Sequence, residues 1–343
     1  MEVSPTPRQM AKGLLNGVLP SRPLFLPIVF SLGAKVENVP FETFLGNPTK
    51  ISSSLRQMRS HLRTDGVSCY FDPFLEVEAL GAILERKTDN QSPFIHWPRP
   101  AKVGELPEGL RSAEEAARSA RVPVAGEVLR RMNSLPNRDF LLMATVSGPM
   151  TLAARITQPA QKESLRAEEV SVDAQELAAS VVTQIATTFL EAGADLLLIQ
   201  EEILTAFSME SCDAWANLLA PAINVTRFYE ALPVLQLAGE RTAPEIWDMI
   251  FRQQWECVVS LPLETIASRY REGFLKNSGA MLGVALPLNA FTADEPGGNN
   301  ILETLRPIVS DLRPAVITTA GDIPDTTDMK RLTQVLGEVS RAI

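Results

Sequence analysis

The sequence predicts an α/β fold of a single domain, a (β/α)8 TIM barrel. Eight short apolar segments of strand length are bounded by turn residues and separated by helical patterns, and eight is the number of strands in such a barrel. Segments with an unbroken apolar run, such as LLLI within residues 195–200, indicate parallel strands buried on both faces. No G-x-G-x-x-G motif follows any of these segments, so an open doubly wound sheet is the less favoured alternative.

Strands and helices alternate along the chain. The predicted strands are Leu24–Phe30, Val67–Phe71, Phe140–Val146, Asp195–Gln200, Pro233–Leu237, Cys257–Leu261, Met281–Leu286 and Ala315–Thr319. Apolar residues three and four positions apart predict helices at Thr49–Leu62, Ala113–Met132, Val172–Ala192, Met209–Phe228, Ala243–Gln254, Asn299–Leu312 and Thr327–Ala342.

Two segments stand apart from this alternation. Residues 1–21 are predicted as an N-terminal helical extension, and residues 22–343 as the barrel. Residues 88–110 are rich in proline and polar residues, which predicts a long loop excursion after the second strand. Long βα loops often cover the active face of a barrel, so this segment is either a lid or a surface insertion without a role.

The composition excludes several classes of protein. A net charge of -9, from 32 basic and 41 acidic residues, would repel a phosphate backbone. The 3 cysteines form no C-x-x-C pair, so neither a disulfide framework nor a zinc knuckle is indicated. No apolar run is long enough to span a bilayer. We expect a soluble cytoplasmic protein that acts without nucleic acid or a membrane.

Polar residues near the carboxyl ends of predicted strands are the candidate site residues, because barrel enzymes place their catalytic groups there. Asp72 is the first candidate catalytic residue, with a helix-capping role as the alternative. Glu76 lies one turn further on and could face the same pocket. Glu201 and Glu202 end the fourth strand unit and must point in opposite directions, and we take Glu201 as the second candidate catalytic residue. Gln236 ends the fifth strand with an amide that can orient a ligand but cannot titrate.

From Arg22 onward, the order of segments resembles the uroporphyrinogen decarboxylase family, which includes a branch of methylcobalamin:coenzyme M methyltransferases. The most specific stretch is DGVSCYFDPFLEVEALGA, residues 65–82. In the decarboxylases the matching strand ends in a catalytic aspartate, followed seven residues later by Ala-Leu-Gly, and Asp72 stands at that position here. SGPMTLAARI, EAGADLLLIQEE and AGDIPDTTDMKRL are similar to further family segments.

The sequence departs from the decarboxylases where they bind porphyrinogen. Their Arg-Gln-Ala-Gly-Arg element corresponds to FSLGA, which keeps Gly33 but has Phe30 and Ala34 in place of the arginines. The loss of these cations argues against an octacarboxylate substrate. Lys35 could compensate in part, as could Arg155, which stands where the decarboxylases have an active-site tyrosine. Gly33, Lys35, Arg155, Gln236 and Glu76 are therefore candidate substrate-binding residues.

The sequence also departs from the methyltransferase branch where it binds zinc. The resemblance implies a His-x-Cys after the fifth strand and a cysteine near the last, but Gln236, Ala238 and Gly321 occupy these positions. Zinc needs thiolate or imidazole ligands of this kind, so we expect no metal site. No resident cofactor is certain, and methylcobalamin remains a candidate substrate.

Three functions stay open. The favoured one is methyl transfer between a corrinoid and a small acceptor or donor, because PFETFLGNPTK and YFDPFLEVEALGA look closer to the methyltransferase branch. The alternatives are a cofactor-independent decarboxylase of a porphyrinogen or related acid, and a non-catalytic barrel that binds a tetrapyrrole or corrinoid. We expect a small-molecule substrate, with a corrinoid protein as a candidate partner and a homodimer as a candidate assembly.

Overall fold

The computed structural model describes residues 5–85, 93–157, 170–202, 209–237, 250, 255–271, 281–292 and 297–343. Their strands are β1 (Leu24–Leu26), β2 (Gly66–Tyr70), β3 (Ile83–Glu85), β4 (Phe94–His96), β5 (Leu141–Ser147), β6 (Leu196–Glu201), β7 (Leu232–Leu237), β8 (Val258–Pro262), β9 (Met281–Leu286) and β10 (Val316–Thr319). Their helices are α1 (Pro7–Leu15), α2 (Leu32–Val36), α3 (Phe41–Leu45), α4 (Pro48–Leu62), α5 (Leu75–Leu80), α6 (Ala113–Ala116), α7 (Val122–Asn133), α8 (Pro149–Thr157), α9 (Val172–Glu191), α10 (Met209–Phe228), α11 (Leu263–Arg271), α12 (Asn289–Thr292), α13 (Gly297–Leu312) and α14 (Met329–Ala342).

Eight of the strands form one parallel sheet in the order β1-β10-β9-β8-β7-β6-β5-β2. The sheet curls round so that its edge strands β1 and β2 meet, and the helices pack around it. Strand residues are buried on both faces, as in β7, where all six residues are buried. The predicted (β/α)8 barrel is therefore confirmed. The remaining strands, β3 and β4, form a separate antiparallel hairpin.

Asp65 closes the seam between β1 and β2. Its backbone N–H donates to the Phe25 carbonyl oxygen at 3.0 Å, and its carboxylate accepts from the Phe25 N–H at 2.7 Å. Arg22 donates to both carboxylate oxygens of Asp65, at 2.6 and 2.8 Å. The hydrogen bonds of Asp65 thus replace part of the backbone ladder that is missing between the edge strands β1 and β2.

The first strand is shorter than predicted because of Pro27. The sequence predicts a strand over Leu24–Phe30, whereas β1 ends at Leu26. Proline has no N–H to donate to a strand ladder, so pairing stops there. Beyond Pro27, side chains accept the hydrogen bonds of the backbone N–H groups. Ile28 N–H donates to Thr319 Oγ1 at 3.0 Å, and Phe30 N–H donates to Asp322 Oδ1 at 2.7 Å.

The predicted helix Ala113–Met132 is divided into α6 and α7. Ala120 has a φ of 50°, a left-handed conformation that interrupts a right-handed helix. Pro123 lies in the first turn of α7, where its missing N–H costs nothing. The sequence pattern did not reveal this break because apolar residues continue across it.

The loop after β2 and the remaining helices complete the comparison with the predicted elements. The excursion at residues 88–110 is described from residue 93, and from Phe94 to His96 it forms β4, which pairs with β3. Its later part packs against the barrel, with Gly104 N–H donating to the Thr157 carbonyl oxygen and Arg111 N–H to that of Leu80, each at 3.1 Å. The predicted helix at Ala243–Gln254 lies outside the described residues, apart from Ile250. None of the described helices combines the length and apolar character that a bilayer crossing needs.

Candidate active site

A small open cavity lies at the carboxyl ends of β2, β5 and β6. This is the end of the barrel at which such enzymes place their active sites. It is lined by Phe71, Asp72, Pro73, Thr145, Val146, Ser147, Arg155, Gln200 and Glu202. Among the candidates predicted from sequence, the structure therefore brings Asp72 and Arg155 together at one cavity.

Asp72 is a buried carboxylate in the cavity wall, with only 2% of its side chain exposed. Its Oδ1 accepts a hydrogen bond from Phe74 N–H at 3.0 Å, and its Oδ2 lies 3.0 Å from Arg121 Nη2. The residue caps the turn that leads to α5 and also carries a charge at the cavity. The two interpretations raised by the sequence, a cap and a site residue, are compatible in this geometry.

Arg121 is a residue that the sequence analysis missed. Besides its ion pair with Asp72, its Nε donates to Glu78 Oε2 at 2.6 Å, and its Nη1 lies 3.8 Å from Glu42 Oε2. Burial lowers the pKa of Arg121, but the surrounding carboxylates outweigh burial and leave it raised. Arg121 stays charged in such surroundings and holds Asp72 in place.

Arg155 reaches the cavity from α8. Its Nη1 donates to the Pro73 carbonyl oxygen at 2.5 Å and to Ser147 Oγ at 2.9 Å, and its Nη2 donates to Glu202 Oε2 at 2.8 Å. The guanidinium also lies over the Phe74 ring, 5.2 Å from the centroid. These contacts fix the orientation of a single cation in the cavity wall.

Glu76 lies behind this cation and outside the cavity lining. It is buried, and its carboxylate accepts from Ser147 N–H at 2.8 Å and from Ser147 Oγ at 3.0 Å. Burial raises the pKa of Glu76, whereas the hydrogen bonds from Ser147 and the charge of Arg155 act to lower it. Glu76 therefore orients Ser147, which in turn contacts Arg155.

Glu201 points away from the cavity, whereas its neighbours Gln200 and Glu202 line it. The buried carboxylate of Glu201 accepts from Thr151 N–H at 2.6 Å, Thr151 Oγ1 at 2.5 Å and Trp215 Nε1 at 3.2 Å. Burial raises the pKa of Glu201 to about 7, although the hydrogen bonds from Thr151 and Trp215 lower it. Alternation along the strand required one of the two glutamates to face inward, and the structure assigns that place to Glu202.

The other predicted substrate-binding residues lie outside the cavity lining. Gln236 is buried and donates from Nε2 to the Thr319 carbonyl oxygen at 3.1 Å. Gly33 allows close packing, because an added Cβ would lie 2.5 Å from the Phe44 ring and 2.7 Å from Ser54 Oγ. Lys35 is exposed on α2.

Asp322 holds the turn that follows β1, where the decarboxylases have their arginine element. Its carboxylate accepts from Phe30 N–H at 2.7 Å and Ser31 N–H at 2.9 Å. Burial raises the pKa of Asp322 to about 6, while these hydrogen bonds act to lower it. The segment AGDIP was singled out by sequence, but this long-range contact was not visible in it.

The residues at the zinc positions of the methyltransferase branch do not fit zinc. The amide of Gln236 is hydrogen-bonded to the barrel backbone, Gly321 has no side chain, and Ala238 lies outside the described residues. Cys69, Cys212 and Cys257 are buried, and burial raises the pKa of Cys257 to about 12. Across the described residues, no group of three or more His, Cys, Asp or Glu could hold a metal ion.

A sequence model of the uroporphyrinogen decarboxylase (URO-D) family matches residues 14–227, more than half of the chain. The chain therefore belongs to this family, and the family predicted from sequence is confirmed. No curated protein matches the chain.

Solved structures share the fold. A methyltransferase from Methanosarcina mazei is similar with a TM-score of 0.74 and 16% identity, covering 98% of this chain and 99% of that protein. A B12-independent methionine synthase from Shewanella sp. is similar with a TM-score of 0.53 and 13% identity, covering 86% of each chain. At such low identity the likeness shows the fold alone.

Proposed function

We propose that this protein transfers a methyl group between a corrinoid and a small molecule bound in the cavity. The observation that carries the proposal is the charge of the cavity wall. Arg155 is the one basic residue among the described residues that line it, alongside Asp72 and Glu202. A cavity wall with a single cation suits a ligand with one negative group better than an octacarboxylate tetrapyrrole.

Arg155 and Asp72 have different roles in this reaction. The fixed guanidinium of Arg155 orients the small molecule, and Asp72, held by Arg121, places a negative charge beside any positive charge that develops. In the direction of methylation, a nucleophilic atom of the acceptor bonds to the methyl carbon while the cobalt–carbon bond breaks, and both bonding electrons stay on cobalt. The acceptor's proton is released to water, which reaches the cavity wall at the half-exposed Glu202.

The family and its fold agree with this proposal without establishing the reaction. Members of the URO-D family include methyltransferases and decarboxylases, and the similar structure from Methanosarcina mazei is a methyltransferase. The corrinoid is a substrate of the proposed reaction and reaches the protein either free or bound to a corrinoid protein.

The test is a titration of the purified protein with methylcobalamin, in the presence of small thiols, amines and carboxylic acids. We expect an acceptor-dependent loss of the methylcobalamin absorbance, reduced about 100-fold or more by Arg155→Met and Asp72→Asn. Glu256→Gln, a change in an ion pair with Arg227 outside the cavity lining, should leave the rate unchanged. Metal content is determined on the same sample. Absence of turnover with every acceptor, in both directions, would reject methyl transfer.

A cofactor-independent decarboxylase is the second candidate, favoured by the position of Asp72. A buried carboxylate held by Arg121 at a cavity can stabilise a protonated pyrrole, the cationic intermediate of porphyrinogen decarboxylation. Turnover of a porphyrinogen by the wild-type protein, and its loss in Asp72→Asn, would support this function. No turnover by the wild type would reject it.

A further inference from the structure

We propose that Arg155 is the receptor for a carboxylate group of the substrate, and that Glu202 occupies this receptor when no substrate is bound. The inference rests on the proposed function only in making the cavity a substrate site. Carboxylate binding requires no turnover, so it can be tested separately.

Arg155 is built into the cavity wall as a preformed anion receptor. Only 7% of its side chain is exposed, and its Nη1 is fixed by the Pro73 carbonyl oxygen and Ser147 Oγ. Both of these partners are neutral, so they orient the guanidinium without neutralising its charge. A buried cation held in this way needs an anion on its remaining side.

Ser147 strengthens this orientation. Its hydroxyl donates to Glu76 Oε2 at 3.0 Å, so a lone pair of the same oxygen is left to accept from Arg155 Nη1 at 2.9 Å. Its backbone N–H donates to the other carboxylate oxygen of Glu76 at 2.8 Å. The guanidinium is thus held by a chain of buried contacts and need not reorganise when an anion arrives.

Glu202 supplies the anion in this structure. Its Oε2 lies 2.8 Å from Arg155 Nη2, but 43% of its side chain is exposed. A half-exposed carboxylate gains little from an ion pair, because water solvates it almost as well. A ligand carboxylate that also buries apolar surface in the cavity can therefore displace Glu202 into solvent.

The remaining wall defines the ligand further. Phe71, Pro73 and Val146 provide apolar surface, and Thr145 Oγ1 is buried without a hydrogen-bond partner among the described residues. These residues lie close around Arg155 and leave space beside it for only a small group. The geometry points to a short carboxylic acid with a compact apolar body.

The experiment compares propionate binding by the wild-type protein and Glu202→Gln, using ligand-observed NMR titration at fixed ionic strength. The variant keeps the shape of Glu202 but removes the competing charge. If Glu202 occupies the receptor at least nine-tenths of the time, the variant binds propionate about 10-fold tighter or more. Propionamide, which has the same shape without the charge, should bind the two proteins equally.

Two further variants sharpen the result. Glu256→Gln removes the carboxylate of a similar ion pair, 3.1 Å from Arg227, and should leave propionate affinity unchanged. Arg155→Lys should weaken propionate binding in the Glu202→Gln background, because lysine lacks the planar guanidinium that Pro73 and Ser147 hold in place. Should Arg155→Lys fail to fold, the comparison at Glu202 remains decisive, since that side chain is half-exposed.

The proposal is overturned if Glu202→Gln binds propionate no tighter than the wild type, or if propionamide gains as much affinity as propionate. Tighter propionate binding in a protein that transfers no methyl group would support the receptor and reject the proposed reaction. Methyl transfer by a protein whose Glu202→Gln variant gains no affinity for propionate would support the proposed reaction and reject the receptor.

Discussion

Arg121 Nη2 lies 3.0 Å from Asp72 Oδ2, although the excursion at residues 88–110 separates the two residues in the chain. The side chains are 13% and 2% exposed, so the ion pair is largely shielded from water. Arg121 also contacts Glu78 and Glu42. One arginine therefore pairs with several acids beside the cavity and holds the best candidate catalytic residue in place.

We expect Arg121→Met to destabilise the protein by about 3–5 kcal/mol, because it removes the cation that pairs with the buried carboxylate of Asp72. Urea unfolding at neutral pH measures the change. Arg130→Met serves as the matched control, because Arg130 pairs with Glu127 on an exposed helix face, and it should cost less than about 1 kcal/mol. The double variant Arg121→Met/Asp72→Asn should recover part of the loss. Equal losses of unfolding free energy in the two arginine variants would show that the buried ion pair stabilises the protein no more than the exposed one.

Gly148→Ala should destabilise the protein by about 1–3 kcal/mol through a clash with Glu201. An added Cβ would lie 2.3 Å from Glu201 Oε2 and 2.5 Å from its Cδ, and that carboxylate is held by Thr151 and Trp215. Gly337→Ala is the control: it lies within α14 with nothing inside 4 Å of an added Cβ. That change should stabilise by about 0.5–1 kcal/mol. Thermal unfolding of both variants measures these changes in stability. An unchanged stability of Gly148→Ala would contradict the predicted clash with Glu201.

Stability should depend on pH through Glu201. Burial raises its pKa from 4.5 to about 7, so the folded protein binds the proton more tightly than the unfolded chain. The stabilisation that this tighter proton binding gives the folded state is fully present below pH 4.5 and is lost as pH rises through about 7. Relative to Glu201→Gln, the wild type should therefore lose about 3 kcal/mol of unfolding free energy across this window.

Urea unfolding of both proteins at several pH values provides the test of Glu201. Glu76 and Asp322, whose pKa values burial also raises, titrate in both proteins, so their effects cancel in the difference. A difference that stays constant with pH would contradict the assignment.

Asp65→Asn should weaken the seam between β1 and β2. The amide keeps one acceptor for Phe25 N–H but loses the charge that pairs with Arg22. We expect a loss of about 2 kcal/mol in chemical unfolding, because a hydrogen bond to a charged group contributes about 1.5–3 kcal/mol. Glu230→Gln, which breaks an exposed pair with Lys12, is the comparison and should have little effect.

The sequence located part of the candidate site for a physical reason. Asp72 follows a short and mostly apolar strand, and a charge at such a place is conspicuous without any knowledge of the fold. Arg155 was found through the family resemblance. Arg121 and Asp322 were not found, because their partners are distant in sequence and no local pattern marks an ion pair of that kind.

Glu201 and Glu202 show where sequence reasoning reached its limit. Alternation along a strand required them to face opposite ways, but two adjacent glutamates look alike in sequence. The choice depended on which side the barrel interior lay, and hence on the register of β6 with β5 and β7. That register places Gln200 and Glu202 toward the cavity and Glu201 against α8 and α10.

The sequence by itself determined the barrel and the family, because strand and helix periodicity and the motif around Asp72 are local properties of the chain. Local reasoning also placed the end of β1 wrongly and joined α6 to α7. The strand ends before Pro27 and the helix breaks at Ala120, and a change of conformation at a single residue does not interrupt the apolar pattern on which the prediction relied. Only the tertiary structure decided which charges meet. Ion pairs such as Arg121–Asp72 and Arg155–Glu202 form between residues that only barrel closure and helix packing bring together.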